Sequence, residues 1–277
     1  ADGTVVEDLP DLWFGFDMVF DFFIPKDGKV NGEDMAGLDT TQVVMLIKGE
    51  EGTTVHLTLV RGNEYVEVDV ERRKIETPSV EYKMLDDRMG YIQLAEFNDS
   101  SVTQFSGALS ALESEKAEGL ILDLRGNPGG NLDAVVSIAD MLLGDGMILY
   151  TEDKYGNGDV YMSDAEEELE IPLVVLVDMN SASAAEVLSG ALKDHDKATL
   201  VGTTTFGKGI VQTIRTMLDG SAVKLTVSAY YTPSGANIHE IGIEPDVVVE
   251  FDGEAYVADG YDNQLEKAKE VLAGMLP

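Results

Sequence analysis

Cysteine is absent from all 277 residues, which excludes disulfides, thiol nucleophiles and most structural zinc sites. Positive charge is scarce: 19 Lys and Arg stand against 52 Asp and Glu, a formal net charge of −33. Nucleic acids and anionic bilayers are recognised by clustered cations, so this balance argues against both as partners. Solubility is the plain reading of the acidity. Histidine occurs three times, with no HExxH-like pair, so no metal or other cofactor is expected. No apolar run approaches the ~18 residues of a membrane-spanning helix. The opening ADGTVVEDLP is polar and acidic rather than leader-like. What is present is an ordinary apolar share of 44%, enough for one large domain or two unequal ones around a buried core.

Periodicity divides the chain. GFDMVFDFF (15–23) alternates like a strand, and IPKDGK reads as a turn. MAGLDTTQVVMLIKG (35–49) reads as a helix capped by Asp39, with apolar Val43, Val44, Leu46 and Ile47 and a stop at Gly49. TTVHLTLVR (53–61) and YVEVDVER (65–72) alternate as two strands of a hairpin, closing a small module near Arg73. Residues 74–90 read as a link, and GYIQLAEF (90–97) opens a larger unit. There a helix over 101–117 leads to LILDLR (120–125), a continuous apolar run as in a strand covered on both faces. GNPGG (126–130), a helix over 132–144 and MILYT (147–151) complete a βαβ rhythm. Residues 152–170 carry a charge run that reads as a solvated loop or flap. PLVVLVD (172–178) is another buried strand, followed by a helix from Ser183, the strands ATLVG, IVQTIRTML and AVKLTVSAYYT, the segment GIEPDVVV, and a closing helix NQLEKAKEVLAGML.

The chemistry gathers between Asn180 and Gln212. Ser183 follows a buried strand and opens a helix, where free N–H groups and the helix dipole favour negative charge. Position alone favours a plain N-cap at Ser181 or Ser183. The small neighbours Ala182, Ala184 and Ala185 instead leave room for a substrate backbone. A nucleophilic serine needs a base. His195 and Lys193 lie along the same helix, His195 about 18 Å away at 1.5 Å per residue. His56 and His239 have no local acid arrangement to mark them, so a Ser-His-Asp triad is disfavoured. Lys208, between Gly207 and Gly209, is the remaining base. It must be desolvated to act, since a free lysine titrates near about 10.4, and Phe206, Ile210 and Val211 can supply an apolar surround. Gln212 can hold the neutral amine without adding charge. Gly202 to Lys208 nearly matches a phosphate-binding loop. Gly209 stands where that motif needs Ser or Thr, and the following IVQTIRT is strand-like, so nucleotide binding is rejected. The N–H of Ala184 and an outward-turned N–H of GNPGG are candidate oxyanion donors.

DLRGNPGG (123–130), NSASAAEVLSGALKD (180–194), VGTTTFGKGIVQ (201–212) and YTPSGANIHEIGIEPD (231–246) together resemble the carboxy-terminal processing (tail-specific) proteases, over most of residues 30–277. The resemblance implies a Ser/Lys-dyad serine endopeptidase: Ser183 as nucleophile, Lys208 as general base, Gln212 as its orienting partner. Gly129 and Ala184 would be the oxyanion donors, with Gly130 the near alternative to Gly129. It further implies a mixed α/β fold, a crotonase/ClpP-like core of stacked βαβ units over 74–277. A PDZ-like domain over 15–73, incomplete at 24–30, would follow a remnant at 1–14. The family carries about two dozen more residues there, in loops of the kind that are often mobile. Implied partners are protein or peptide substrates with free C-terminal tails, an oligomer is compatible, and the implied location is extracytoplasmic. Two alternatives stand beside this. One is an inactive PDZ-bearing scaffold, which intact Ser183 and Lys208 argue against. The other is a thioester-acting enzyme of crotonase type, in which the pair would have no role.

Overall fold

A computed structural model describes residues 28–61, 64–73, 78–85, 88–164, 168–217 and 219–276. The chain divides into two compact units, Ala1–Thr77 and Pro78–Pro277. The strand expected at 15–23 lies outside the described residues.

The first unit holds β1 (Lys29–Val30), β2 (Glu33–Asp34), α1 (Thr40–Ile47), β3 (Thr54–Arg61) and β4 (Glu64–Glu71). Its antiparallel sheet has the order β2-β1-β3-β4. Asp39 caps α1 as expected: its carboxylate accepts from the Gln42 N–H at 2.9 Å, and Gln42 accepts from the Asp39 N–H at 3.0 Å. At the other end the Arg72 guanidinium donates to the Ile47 carbonyl at 2.6 Å and the Leu46 carbonyl at 3.3 Å, satisfying acceptors that the helix leaves open. Val30, Met35, Val43 and Val55 form the unit's small core.

The second unit runs β5 (Val80–Met84), β6 (Met89–Leu94), α2 (Asp99–Ser114), β7 (Gly119–Asp123), α3 (Leu132–Asp140), β8 (Gly146–Glu152), β9 (Val160–Ser163), β10 (Leu173–Val177), α4 (Ala184–Asp194), β11 (Ala198–Gly202), β12 (Ile210–Thr216), β13 (Ala222–Tyr231), β14 (Val247–Val248), α5 (Gly253–Asp259) and α6 (Asn263–Met275). A six-stranded sheet, ordered β14-β11-β10-β7-β6-β5, is parallel except at β5. Every residue of β7 and β10 is buried. Side chains alternate across a strand, and here both faces are covered. Leu120, Leu122, Leu173 and Val175 pack with Phe105 of α2, Val135 and Ile138 of α3, and Leu188 of α4. Ile121, Val174 and Leu176 meet Ala268 and Leu272 of α6. That double covering is why these strands read as unbroken apolar runs. A second, antiparallel sheet has the order β12-β13-β8-β9.

Three segments differ from expectation. The link at 74–90 contains β5, a polar edge strand whose Glu81, Tyr82 and Lys83 are exposed. The charged flap at 152–170 contains β9, paired with β8. MILYT does not return to the sheet of β7: β8 joins the antiparallel sheet, and the parallel partner of β7 on that side is β10. The fold is a mixed α/β one, with βαβ units at β6-α2-β7 and β10-α4-β11. Among the described residues no helix is long and apolar enough to cross a membrane.

Candidate active site

Parallel strands leave their loops together at the carboxyl edge of a sheet, where ligands of α/β folds bind. Neighbouring β7, β10 and β11 do so here, supplying Asn127–Gly130, Ser181–Ser183 and Thr203–Gly209 respectively.

The two candidate serines separate cleanly. Ser181 is fully buried; its hydroxyl donates to the Leu124 carbonyl at 2.8 Å and accepts from the Asp178 N–H at 2.9 Å. It closes the turn after β10. Ser183 sits at the N-cap position of α4, yet its hydroxyl makes no capping bond. Its backbone is held at φ 54°, ψ −113°, a region that costs a side-chain-bearing residue about 1–3 kcal/mol and persists only where surroundings enforce it. The enforcing group is Glu186, one turn into α4 and wholly buried. One carboxylate oxygen accepts from the Thr205 hydroxyl at 2.6 Å and the Gly207 N–H at 2.7 Å. The other accepts from the Ser183 N–H at 2.9 Å and the Lys208 N–H at 2.8 Å. Four donors on one carboxylate require its ionised, acceptor-only form. Because Ser183 and Lys208 share one oxygen, their backbone nitrogens lie within about 6 Å of each other. Tyr230, also buried, brings its hydroxyl to the carbonyls of both Ser183, at 3.1 Å, and Lys208. Burial, with the Glu186 charge adding to it, pushes that phenol's pKa well up and keeps it a donor.

A cleft of about 370 Å³ opens at this point, lined by Ser183, Ala184, Gly130, Lys208, Gln212 and Tyr230 with apolar walls that include Leu132, Val187, Ile210 and Val211. Phe206, expected to help desolvate Lys208, is 64% exposed and is not part of the lining. Gln212 lines the cleft, but its amide donates to Thr226 at 3.4 Å, and no hydrogen bond joins it to Lys208 among the described residues. His195 is engaged elsewhere, on the Met147 carbonyl at 2.7 Å.

The two glycines after Pro128 also separate. The Gly129 N–H is committed to the Asn127 side-chain oxygen at 2.8 Å. The Gly130 N–H has no partner among the described residues; its loop is tied to Phe97 through the flanking Gly129 carbonyl and Asn131 N–H. Gly130, not Gly129, lines the cleft, and so does Ala184, whose N–H precedes the first α4 hydrogen bond and is equally unpartnered. Asn127 couples the loops: its side chain donates to the Leu94 carbonyl at 2.8 Å and its own carbonyl accepts the Ala182 N–H at 2.9 Å. Glycine is required at 129, where a Cβ would stand 2.7 Å from the Ala182 carbonyl and 2.8 Å from the Ala184 nitrogen.

Glu186 and Tyr230 were not foreseen from sequence. Tyr230 carries no local mark, but Ser183-x-x-Glu186 has the spacing of a capping box, which brings a glutamate back to the residue before the helix.

The profile of peptidase family S41 matches residues 88–249. The chain is 39% identical over 230 residues to the carboxy-terminal processing protease CtpA of Bacillus subtilis, covering 82% of this chain and 49% of that protein. It is 36% identical over 253 residues to the carboxyl-terminal-processing protease of Synechocystis, covering 88% and 59%. It thus spans about half the length of the curated relatives it matches. Among solved structures, a photosystem II D1 C-terminal processing protease superposes with TM-score 0.59 at 33% identity, over 81% of this chain and 63% of that one.

Proposed function

This chain belongs to peptidase family S41, and we propose from that premise that it is a serine endopeptidase cutting proteins at or near their C-termini. The Ser183 oxygen attacks the scissile carbonyl while its proton passes to the neutral Lys208 amine. The N–H groups of Gly130 and Ala184 receive the oxyanion, as both line the cleft and neither is otherwise bonded. Collapse breaks the C–N bond, and Lys208 returns its proton to the leaving amine. Water, deprotonated by the same lysine, then hydrolyses the Ser183 ester and restores the hydroxyl. Gln212, at the cleft wall, orients the lysine once substrate is bound. The observation that carries this reading is the Glu186 carboxylate, which gathers the amides of Ser183, Gly207 and Lys208 around one buried charge.

The first unit, a helix against a small antiparallel sheet, is proposed to be a PDZ-type module binding substrate tails by strand addition. Substrates with free tails and an extracytoplasmic site of action belong to the same proposal.

The test is hydrolysis of an unfolded protein such as casein, with cut sites read by mass spectrometry. The chain should cleave it, and Ser183→Ala and Lys208→Ala should each lose at least about 1,000-fold in rate. Cleavage surviving in Ser183→Ala removes the proposed nucleophile.

A further inference from the structure

In a chain of net charge −33, the cleft at Ser183 has the opposite sign. Its lining holds two lysines, Lys208 and Lys224, and no acid; with Lys208 the neutral base of the proposed mechanism, Lys224 is the cation of the lining. Among the described residues neither lysine side chain makes a hydrogen bond or ion pair. The four donors on Glu186 beneath the cleft leave its oxygens no direct hydrogen bond to either lysine. Lys224 lies on β13 opposite Ile214 of β12, and both line the cleft. It is too far along the hairpin to serve as the base. From Ile210, beside Lys208, to Ile214 is four residues, about 13 Å of strand.

β12 is also the edge strand of its sheet, with a row of N–H and C=O groups open to an extended peptide. Such a peptide rises about 3.3 Å per residue and lies two strand spacings, about 9.5 Å, from β13, a gap that a lysine stem of about 6 Å crosses to within hydrogen-bond reach. A chain laid along β12 with its reacting carbonyl at Ser183 would therefore pass Lys224 about four residues from that carbonyl. An unpaired cation at that distance, in a cleft without acids, is complementary to a carboxylate.

We propose that Lys224 is a specificity residue that receives a substrate carboxylate about four residues from the scissile bond. The inference rests on the peptidase reading above. A carboxylate can come from two sources, the free C-terminus of the substrate or an Asp or Glu side chain. The first would make the released tail only a few residues long.

The experiment uses a peptide taken from a casein cut site and ending four residues beyond it. It is made with a free C-terminus, with a C-terminal amide, and as amides carrying Glu or Gln at the last position. The readout is the ratio of kcat/KM for charged over neutral members. The unsubstituted chain should favour a charged member about fivefold, mainly through KM, and less so in 0.5 M NaCl. Lys224→Gln should bring the ratio near one and Lys224→Arg should keep it. Lys267→Gln, with the same charge change on α6, should leave it unaltered. A preference for the free terminus over its amide, without one for Glu over Gln, assigns the source to the terminus; the converse assigns it to a side chain. A ratio near one in the unsubstituted chain, or one that Lys224→Gln leaves intact, overturns the proposal. Fluorescence anisotropy of the labelled peptides on Ser183→Ala measures the same preference without turnover. Lys224-dependent binding with no hydrolysis by the unsubstituted chain would sink the peptidase reading and leave Lys224 a carboxylate-binding residue without a scissile bond to refer to, and loss of both would sink both.

Discussion

Glu186 holds four hydrogen-bond donors with one buried charge. Glu186→Gln replaces one accepting oxygen by an NH₂ group that faces N–H or O–H donors. Hydrogen bonds to charged groups are worth about 1.5–3 kcal/mol each, so urea unfolding should show a loss of about 2–4 kcal/mol. A displacement near 1 Å at Ser183 or Lys208 should lower kcat/KM by at least about 100-fold. A full-activity Glu186→Gln would refute the organising role given to this carboxylate. Ser183 itself sits where glycine is comfortable. Ser183→Gly should therefore be more stable than Ser183→Ala by about 1–2 kcal/mol, while both lose hydrolysis. In the first unit, His56 lies 2.6 Å from both Asp69 and Glu67. Hydrogen bonds to Asp69, then Glu67, raise its pKa above 6.5. The interaction favours the fold below 6.5 and is lost as pH rises through the higher folded value. An NMR titration should place the His56 midpoint above 6.5, and Asp69→Asn should lower it.

At the scale of elements, the loop after β7 is fastened to the start of α6. Arg125 donates to Asp262 at 2.8 and 3.0 Å and to buried Asp123 at 2.6 Å, while Tyr91 donates to Asp123 at 2.8 Å. Burial, the largest single influence, would raise the Asp262 carboxyl, but the hydrogen bonds and charge of Arg125 together with the N–H groups of Leu265 and Gln264 outweigh it and hold the pKa below 3.8. Asp262 also caps α6 through the Leu265 N–H. Asp262→Asn keeps the cap and removes the charge pair, so it isolates the pair. It should cost about 1–2 kcal/mol at pH 7, with the difference from the unsubstituted chain closing as pH falls from 3.8 through the folded value. Urea midpoints at pH 7 and pH 3 measure this. The elements themselves were largely legible, because apolar period fixes type wherever one or both faces are covered. LILDLR and PLVVLVD gave β7 and β10, and Asp39 gave the α1 cap. β5 and β9 were missed because they are short and at sheet edges, β5 with charged exposed residues and β9 set within a charge run. The departure of β8 to the other sheet is a choice of partner, which local pattern does not encode. Ser183, Lys208 and Ala184 line one cleft as read from their loops, whereas proposing Gly130 rather than Gly129 as oxyanion donor depends on the Asn127 side chain, a contact with no sequence period.

For the whole molecule, the excess of 33 negative charges opposes compaction by mutual repulsion. Salt shortens the reach of that repulsion from about 10 Å at 0.1 M towards 3 Å at 1 M. Calorimetry should show Tm rising by several degrees between about 0.05 and 0.5 M NaCl; a fall would mean that attractive pairs dominate. The same excess makes the cation-lined cleft a local reversal of sign on an otherwise acidic surface. One further consequence follows from the positive φ of Ser183. Serine is the wrong residue for that backbone, and on the proposed reading its oxygen is what it is kept for. Consensus or stability-guided redesign of this chain would install glycine at 183 and erase the chemistry while improving the fold. By the same logic, a descendant freed from selection for cleavage would drift to glycine at this position first. If Ser183 is the nucleophile proposed above, glycine in its place on an otherwise intact scaffold is the mark by which a chain that has lost cleavage can be told from one that retains it.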